Sequence, residues 1–231
     1  MGSSLMLLNA ARAEPPILRR RCGAAGKAYR CATSPVGGVW KRGFDILAAS
    51  IGLLALSPLL LTLSLLIPLD SPGPAFFRQR RAGFRGRLFY IWKFRTMRVA
   101  EDGACVVQAR PGDPRVTRLG RFLRSTSIDE LPQLVNVLLG EMSLVGPRPH
   151  AIVHEYAFRD LDRTYGLRRF ARPGITGLAQ VSGARGVTDT EDKIIRRLAY
   201  DLEYVATWSS QLDLRILFRT LRCIVNDPEA L

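Results

Sequence analysis

The chain is poor in the residues that build disulfide frameworks and zinc sites. Its 231 residues include four cysteines and two histidines. The cysteines form no C-x-x-C pair, and such a long chain with so few of them is not a disulfide-stapled domain. His150 and His154 lie four residues apart without a third ligand nearby, which favours solvated or core side chains over a zinc site. The sequence therefore predicts free thiols in a reducing compartment.

Acidic residues are also scarce. Lys and Arg number 34 against 20 Asp and Glu, a formal net charge of +14, yet 47% of the residues are hydrophobic. Disordered basic tails lack such apolar content, so the chain has a core. The charge indicates an anionic partner, either nucleic acid or the cytoplasmic membrane surface. The sequence contains no recognisable helix-turn-helix, zinc finger or aromatic stacking platform, so a nucleic-acid partner is not expected. A basic membrane scaffold or a nucleic-acid-binding protein is the alternative class.

Charge is absent from one long segment. Residues 46–69 contain no Asp, Glu, Lys or Arg, a run of 24 residues with Ser57 and Pro58 at its centre. Proline bends or breaks a helix. Each half of 12 residues then spans about 18 Å against a hydrocarbon core of about 30 Å. Eight Lys/Arg lie in residues 1–45 and eight more in residues 70–100, which favours both flanks on the cytoplasmic side.

These features predict three regions. Residues 1–38, whose apolar start is too short for a signal peptide, form a poorly ordered basic leader. Residues 39–74 form a re-entrant membrane helix broken at Ser57 and Pro58, with a kinked span and a buried soluble helix as the alternatives. Residues 75–231 form a compact helical cytoplasmic domain with interfacial helices. The predicted fold class is α+β, mostly α, with a small β-hairpin after the membrane helix.

Local patterns place the hairpin and several helices. Aromatic-rich arms at 75–79 and 88–94 flank a basic turn at 80–87, which is typical of a hairpin. Apolar spacing predicts a short helix from Leu131 to Leu139 that Gly140 ends. Two further helices are predicted, one from about Thr190 and one over 212–225, the second either in the core or in the membrane interface. Four charged residues are assigned to the solvated face of the helix from Thr190: Lys193, Arg196, Arg197 and Asp201.

The most informative segment carries two adjacent carboxylates. Pro132 is best tolerated in the first turn of a helix, so Asp129 and Glu130 lie at or just before the helix start, where anions are stabilised. Ser127 and Glu130 also match a capping box, which is a purely structural explanation. Arginines at 118, 121, 124 and 148 surround the pair. The residues alone fit either a site for a Mg²⁺-bound diphosphate or a surface ion-pair network.

A series of sequence blocks runs in order from about Trp40 to the C-terminus. The blocks are Lys41-Arg42-x-Phe44-Asp45, Ser57-Pro58, Asp70-Ser71-Pro72-Gly73-Pro74, Lys93-Phe94-Arg95-Thr96-Met97, Asp113-Pro114-Arg115-Val116-Thr117-Arg118-Leu119-Gly120, Leu123-Arg124-x-x-Ser127-x-Asp129-Glu130-Leu131-Pro132-Gln133, Met142-Ser143-Leu144-Val145-Gly146-Pro147-Arg148-Pro149 and Pro173-Gly174-Ile175-Thr176-Gly177. In these blocks the chain resembles the bacterial sugar transferases, the monotopic phosphoglycosyl transferases. It looks like the short catalytic form, without the multi-span region of longer members.

The resemblance implies a reaction and a role for each matching residue. A sugar-1-phosphate passes from a UDP-sugar to undecaprenyl phosphate, UMP is released, and Mg²⁺ is the cofactor. Asp129 is then the nucleophile that forms a phosphosugar-aspartyl intermediate, and Glu130 holds Mg²⁺. The remaining implied phosphate- and substrate-binding residues are Lys93, Arg95, Arg124, Gln133, Arg148 and Arg185.

The resemblance is strongest to the branch that transfers glucose-1-phosphate, through the segment 146–151 and the region 177–186. UDP-galactose and a UDP-N-acetylhexosamine are the alternative donors. The implied location is the inner membrane with the catalytic domain on its cytoplasmic side, in contact with lipid. The implied role is the first membrane step of exopolysaccharide, capsule or glycoconjugate synthesis.

Overall fold

The computed structural model describes residues 35–98, 112–186, 188 and 190–226. Almost all of the predicted leader, and three of the four cysteines, lie outside these residues, while Cys223 is a free thiol. Seven helices and four strands occur in the described part of the chain. They are α1 (Gly38–Asp70), β1 (Phe76–Ala82), β2 (Leu88–Phe94), α2 (Arg118–Ser125), α3 (Gln133–Leu139), β3 (Ser143–Val145), α4 (Ile152–Leu161), β4 (Gly174–Thr176), α5 (Leu178–Val181), α6 (Glu191–Thr207) and α7 (Ser210–Asn226), with short 3₁₀ turns at Phe84–Gly86, Ile128–Glu130 and Tyr165–Phe170.

Helix α1 continues through the proline at which the sequence predicts a break. By length and composition its 33 residues are sufficient to cross a membrane. Pro58 lacks the N–H that would bond the carbonyl of Leu54. The Ser57 hydroxyl donates to that carbonyl at 2.8 Å instead. The side chain before the proline therefore compensates for the missing backbone bond, and the helix stays continuous.

One face of α1 packs against the rest of the protein over most of its length. Ala49 is fully buried among side chains of β2 and α3. Further along, Leu63 and Ile67 are buried against Phe94 and Leu123. The opposite face is apolar and open. Its side chains that are more than half exposed are Val39, Trp40, Leu47, Ile51, Leu54, Leu61, Leu65 and Leu69.

Three charged side chains near the start of α1 fasten it to three different elements. Lys41 and Asp45 are buried. The Lys41 ammonium reaches α7, the Arg42 guanidinium donates to the last carbonyls of α3, and the Asp45 carboxylate accepts from the start of β3. Their partners are Asp213 at 2.5 Å for Lys41, the carbonyls of Val137 and Leu138 for Arg42, and the Ser143 hydroxyl and Leu144 amide for Asp45.

The predicted hairpin is confirmed, with a longer first strand than the sequence indicates. β1 pairs antiparallel with β2 in a register that sets Phe77 opposite Lys93. The fully buried Asn136 of α3 joins the hairpin to the domain, because its amide donates to the Tyr90 carbonyl and accepts from the Trp92 N–H. The Asn136 amide thus takes the hydrogen bonds that a neighbouring strand would make, and it fixes the backbone of β2 immediately before Lys93.

A second sheet is not foreseen in the sequence. β3 and β4 form a two-stranded parallel pair in which Ser143 is opposite Gly174 and Val145 is opposite Thr176. The backbones approach so closely that a Cβ at Gly146 or Gly174 would collide with main-chain atoms across the pair. The sequence block from Pro173 to Gly177 therefore contains a strand, and glycines at 146 and 174 allow this close approach.

Helices α6 and α7 close the back of the domain. Both predicted helices are confirmed, and the Thr190 side chain caps the first by accepting from the Lys193 N–H. The assignment of Arg197 and Asp201 to a solvated face is wrong, since both are buried. On α7, Ile216 is buried while Phe218 is mostly exposed, so this helix has one core face and one open apolar face.

The buried pair of Lys41 and Asp213 yields a stability prediction. Lys41→Met leaves the Asp213 carboxylate buried without its cation, and we expect a loss of about 3–5 kcal/mol of folding free energy. Thermal or denaturant unfolding of the purified protein in detergent measures it. The double variant Lys41→Met, Asp213→Asn is neutral at both positions and recovers most of the loss. Equal stability of the wild type and Lys41→Met would contradict this role.

Candidate active site

The carboxylate pair lies in a tight turn directly before α3. Ser127 adopts a left-handed backbone conformation with φ of 57°, and the 3₁₀ turn Ile128–Glu130 follows it. The predicted position of Asp129 and Glu130 at the helix entry is confirmed. The capping-box interpretation is wrong, because the Ser127 side chain makes no capping bond. Its hydroxyl instead accepts a hydrogen bond from Arg185 at 2.6 Å.

Two cations from different elements hold Glu130. The Lys93 ammonium, near the end of β2, lies 2.7 Å from Oε1 of Glu130. Both terminal nitrogens of Arg148 donate to the same carboxylate, Nη1 to Oε2 at 3.0 Å and Nη2 to Oε1. This forked contact is the strong, directional form of an arginine–carboxylate pair. The Glu130 side chain is only 14% exposed, so the interpretation as a surface ion-pair network does not hold.

Asp129 has a contrasting environment. It is 8% exposed, and its carboxylate has no hydrogen bond or ion pair within the residues that the structure describes. Burial raises its pKa to about 6, and the negative charge of Glu130 adds to this, whereas Lys93, Arg124 and Arg148 oppose it. Asp129 is therefore an ionisable carboxylate that its neighbours stabilise by charge alone.

The pKa of Glu130 moves in the other direction. Burial on its own would raise it, but Arg148 and Lys93 hold the pKa of Glu130 well below its usual range. Two adjacent carboxyl groups thus differ in their environments, a pattern typical of sites in which two carboxylates do different work. Glu130 is held as an anion by two cations, whereas Asp129 has no such partner among the described residues.

The other predicted site residues divide into two sets. Arg124, in the last turn of α2, acts electrostatically on Asp129. Gln133 opens α3 with 1% exposure, and its amide nitrogen has no partner among the described residues. Arg185 reaches Ser127, two residues before Asp129. Arg124 thus lies with Lys93 and Arg148 near the pair, Arg185 approaches it through Ser127, and Gln133 begins the helix that follows it.

Arg95 is not part of this group. Its guanidinium donates to the carbonyls of Ser71, Pro72 and Gly73, the turn that joins α1 to the hairpin. Arg95 follows Lys93 by two residues on an extended chain. Its side chain nevertheless donates hydrogen bonds to the backbone carbonyls of this turn and not to the carboxylate pair. In the structure Arg95 therefore stabilises this turn, and its role in phosphate binding stays a prediction.

The sequence does not predict which residues hold Arg148 in position. Arg168 donates to the backbone carbonyl of Arg148 and forms a buried ion pair with Asp201 of α6 at 2.8 Å. One turn earlier on α6, Arg197 donates to the carbonyls of Ala184 and Gly186, on either side of Arg185. Helix α6 thus supports both Arg148 and Arg185. No local pattern marks these residues, because the partners lie up to 33 positions apart.

The arrangement suits a magnesium ion only together with a phosphate ligand. Within the described residues no group of three or more His, Cys, Asp or Glu side chains is close enough to hold a metal. Two adjacent carboxylates are present, and Glu130 is already paired with two cations. Mg²⁺ commonly binds one or two carboxylates plus substrate phosphates. The donor set therefore fits a metal that arrives with a diphosphate.

Comparison with known proteins identifies the family of the chain. The family model described as bacterial sugar transferase matches residues 36–227, and the chain belongs to this family. It is 52% identical over 190 residues to the UDP-glucose:undecaprenyl-phosphate glucose-1-phosphate transferase of Caulobacter vibrioides, covering 82% of this chain and 71% of that protein. It is 49% identical over 193 residues to the protein of the same name in Escherichia coli K12, covering 84% of this chain.

A third relative has a different donor in its name. The UDP-N-acetylgalactosamine-undecaprenyl-phosphate N-acetylgalactosaminephosphotransferase of Aeromonas hydrophila is 43% identical over 193 residues, covering 84% of this chain and 45% of that protein. The match to the Escherichia coli protein likewise spans 42% of its length. The resemblance to the family and to its glucose branch is confirmed.

Histidine 150 yields a prediction on pH. It is buried, and burial together with the positive charges of Arg168, Arg197, Arg81 and Arg148 holds its pKa well below the usual value. The unfolded chain binds a proton at His150 below about pH 6.5, and the folded state does not. Folding stability therefore falls as the pH drops below that value, by up to about 1.4 kcal/mol per pH unit.

The matched variant is His150→Asn. Its amide oxygen takes the place of Nδ1, which lies 2.6 Å from the Tyr165 hydroxyl, and it carries no titrating proton. Denaturant unfolding from about pH 7.5 to about pH 5 should show a shallower decline for the variant than for the wild type. His154 titrates alike in both proteins. Identical slopes would contradict the assignment of a neutral buried His150.

Proposed function

We propose that the protein transfers a sugar-1-phosphate from a UDP-sugar to undecaprenyl phosphate and releases UMP. The observation that carries this proposal is the pair of unlike carboxylates. Asp129 is buried and has no hydrogen bond or ion pair among the described residues, and beside it Lys93 and Arg148 hold Glu130. Phosphoryl transfer needs a nucleophile and fixed positive charge around the transferring phosphorus. The named activities of the relatives support the same reaction.

In the proposed reaction an Asp129 oxygen attacks the phosphorus that carries the sugar. The bond from that phosphorus to the oxygen of UMP breaks, and UMP leaves with the electron pair. The product is a phosphosugar ester of Asp129. An oxygen of undecaprenyl phosphate then attacks the same phosphorus, which frees the aspartate and forms the lipid diphosphosugar. With a pKa of about 6, Asp129 is mostly ionised near neutral pH and needs no separate base.

The basic residues supply the charge that the transition state requires. Lys93, Arg124 and Arg148 bring three positive charges to a site with two carboxylates, so the protein side chains of the site have a positive surplus that attracts a diphosphate. Arg148 is suited to phosphate oxygens because its guanidinium presents paired donors. Mg²⁺, held by Glu130 with the donor's diphosphate, would neutralise charge on the leaving phosphate.

Glucose is the expected sugar, by similarity to the relatives named for UDP-glucose. UDP-galactose and UDP-N-acetylhexosamines are the alternatives, and the Aeromonas hydrophila relative is named for one of them. Two further relatives carry names of exopolysaccharide production proteins, from Rhizobium leguminosarum and Rhizobium meliloti. They support a role in the first membrane step of exopolysaccharide, capsule or glycoconjugate synthesis.

Helix α1, which is continuous through Pro58, is proposed to bend at that proline within the inner membrane, so that both of its ends lie on the cytoplasmic side. The Lys41 end contacts α7 and the Ile67 end contacts α2 and β2, so one domain holds both ends. A helix that crossed the bilayer upright would have its two ends on opposite sides of a hydrocarbon core about 30 Å thick, and one domain on one side of the membrane would not reach both ends. The exposed apolar face of α1 is available to lipid, which brings the water-soluble donor and the lipid acceptor to one boundary.

A basic scaffold or nucleic-acid-binding protein is the competing proposal, supported by the net charge of +14. It predicts DNA affinity that falls steeply with salt and an Asp129 whose replacement changes nothing. No nucleic-acid partner is expected under the transferase proposal.

Replacing the two carboxylates tests the reaction. In membranes supplied with undecaprenyl phosphate and UDP-glucose, Asp129→Asn should lower UMP release by a factor of about 10³ or more, because the nucleophile is lost. Glu130→Gln should lower it by about 10² through loss of the held charge. Glu203→Gln, an exposed carboxylate on α6, is the matched control. Full UMP release by purified Asp129→Asn would remove the nucleophile assignment, and a panel of UDP-sugars identifies the donor in the same assay.

Membrane topology is tested by labelling single cysteines. Val39→Cys and Asp70→Cys lie at exposed positions at the two ends of α1, in a background whose native cysteines are replaced by serine. Neither position should react with a membrane-impermeant thiol reagent in intact cells, and both should react after permeabilisation. Labelling of either end from outside would contradict the re-entrant arrangement.

A further inference from the structure

Arg168 lies at the centre of a buried polar cluster directly behind the proposed site. The residue is 5% exposed. Its Nε and Nη2 donate to Oδ2 of Asp201 at 3.0 and 2.8 Å. Its Nη1 contacts the Tyr165 hydroxyl at 3.1 Å and Nδ1 of His150 at 3.3 Å. Its Nη2 also donates to the Arg148 carbonyl. These contacts use all five N–H donors of the guanidinium, so its position is fully determined.

The contact to Arg148 is the one that reaches the site. The Arg148 side chain extends to Glu130, and its backbone carbonyl points back to Arg168. Pro147 and Pro149 have restricted φ angles, but the peptide unit between Arg148 and Pro149 can still rotate. A hydrogen bond to the Arg148 carbonyl sets its orientation. Arg168 provides that bond, and the ion pair with Asp201 keeps Arg168 in place.

We propose that Arg168, oriented by Asp201, is a positioning residue that aims the Arg148 fork at Glu130 and at the transferring phosphate. The inference rests on the proposed function and extends it to residues that touch no substrate. A buried ion pair contributes little net stability compared with apolar residues of the same volume. Its value here is geometric, because an arginine about 1 Å out of place weakens charge stabilisation of the transition state by a large factor.

Arg168→Lys separates positioning from charge. Lysine keeps a cation opposite Asp201, yet its single nitrogen cannot bond Asp201, Tyr165 and the Arg148 carbonyl in the same geometry. We expect kcat for UMP release to fall about tenfold, with KM for the UDP-sugar within about threefold of wild type. Rates are taken per mole of folded, monodisperse enzyme, so partial unfolding does not enter the comparison.

A double-mutant cycle with Arg148→Lys gives the decisive readout. If Arg168 acts through the Arg148 fork, the double variant should be no slower than Arg148→Lys alone, within about threefold. Should Arg168→Lys fail to fold, Asp201→Asn replaces it in the same cycle, because it loosens Arg168 without removing it. Independent, multiplicative losses in the cycle would overturn the inference.

Asp213→Asn is the matched control. Like Asp201→Asn it removes the carboxylate charge of a buried ion pair, but its partner Lys41 does not contact Arg148. It should lower Tm and leave kcat within about twofold of wild type. An equal loss of kcat in Asp213→Asn, or wild-type kcat in Arg168→Lys, would also overturn the inference. Absence of UMP release by the wild type with any UDP-sugar contradicts the proposed function instead.

Discussion

The buried charge of Glu130 is the constraint on which the site depends. A carboxylate removed from water must be paired, and here two cations arrive from elements far apart in the chain. β2 brings Lys93 and the segment after β3 brings Arg148, so both must fold into place before the charge is stable. Asp129, next to Glu130, has the charges of these cations nearby without being bonded to them. The result is one carboxylate that is fixed and one that is available.

The remaining fold holds these parts in register from several directions. Asn136 fixes β2 from α3, Arg42 fixes the end of α3 from α1, and Arg168 fixes Arg148 from behind. The apolar face that α1 leaves open runs beside the same assembly. On the proposed function this arrangement is what the chemistry demands, since a nucleotide sugar comes from water and its acceptor from the bilayer. The helix is then both the membrane contact and a wall of the catalytic domain.

The sequence predicts those features whose cause is local. Pro132 and Gly140 mark the two ends of α3, and so place Asp129 and Glu130 correctly. The aromatic arms on either side of a Gly- and Arg-rich turn predict the hairpin. Several differences from the prediction involve contacts between distant segments. Asp201 is predicted to be solvated because its partner Arg168 is 33 positions away, and the turn that Arg95 serves lies before β1. Likewise, Ser127 matches a capping box by spacing, but its hydroxyl bonds to Arg185 in a loop far along the chain. The predicted break in α1 is a local exception, because the Ser57 hydroxyl compensates for Pro58 within one turn.

Under the proposed function Asp129, not Glu130, carries the phosphosugar during turnover. Rapid acid quench of the purified enzyme with UDP-glucose and no lipid acceptor, followed by proteolysis and mass spectrometry, detects the covalent intermediate. We expect a hexose-phosphate adduct on Asp129, in an amount close to that of the UMP released, and none in Asp129→Asn. UMP release without any adduct on Asp129, or an adduct on Glu130, would contradict the assignment of Asp129 as the nucleophile.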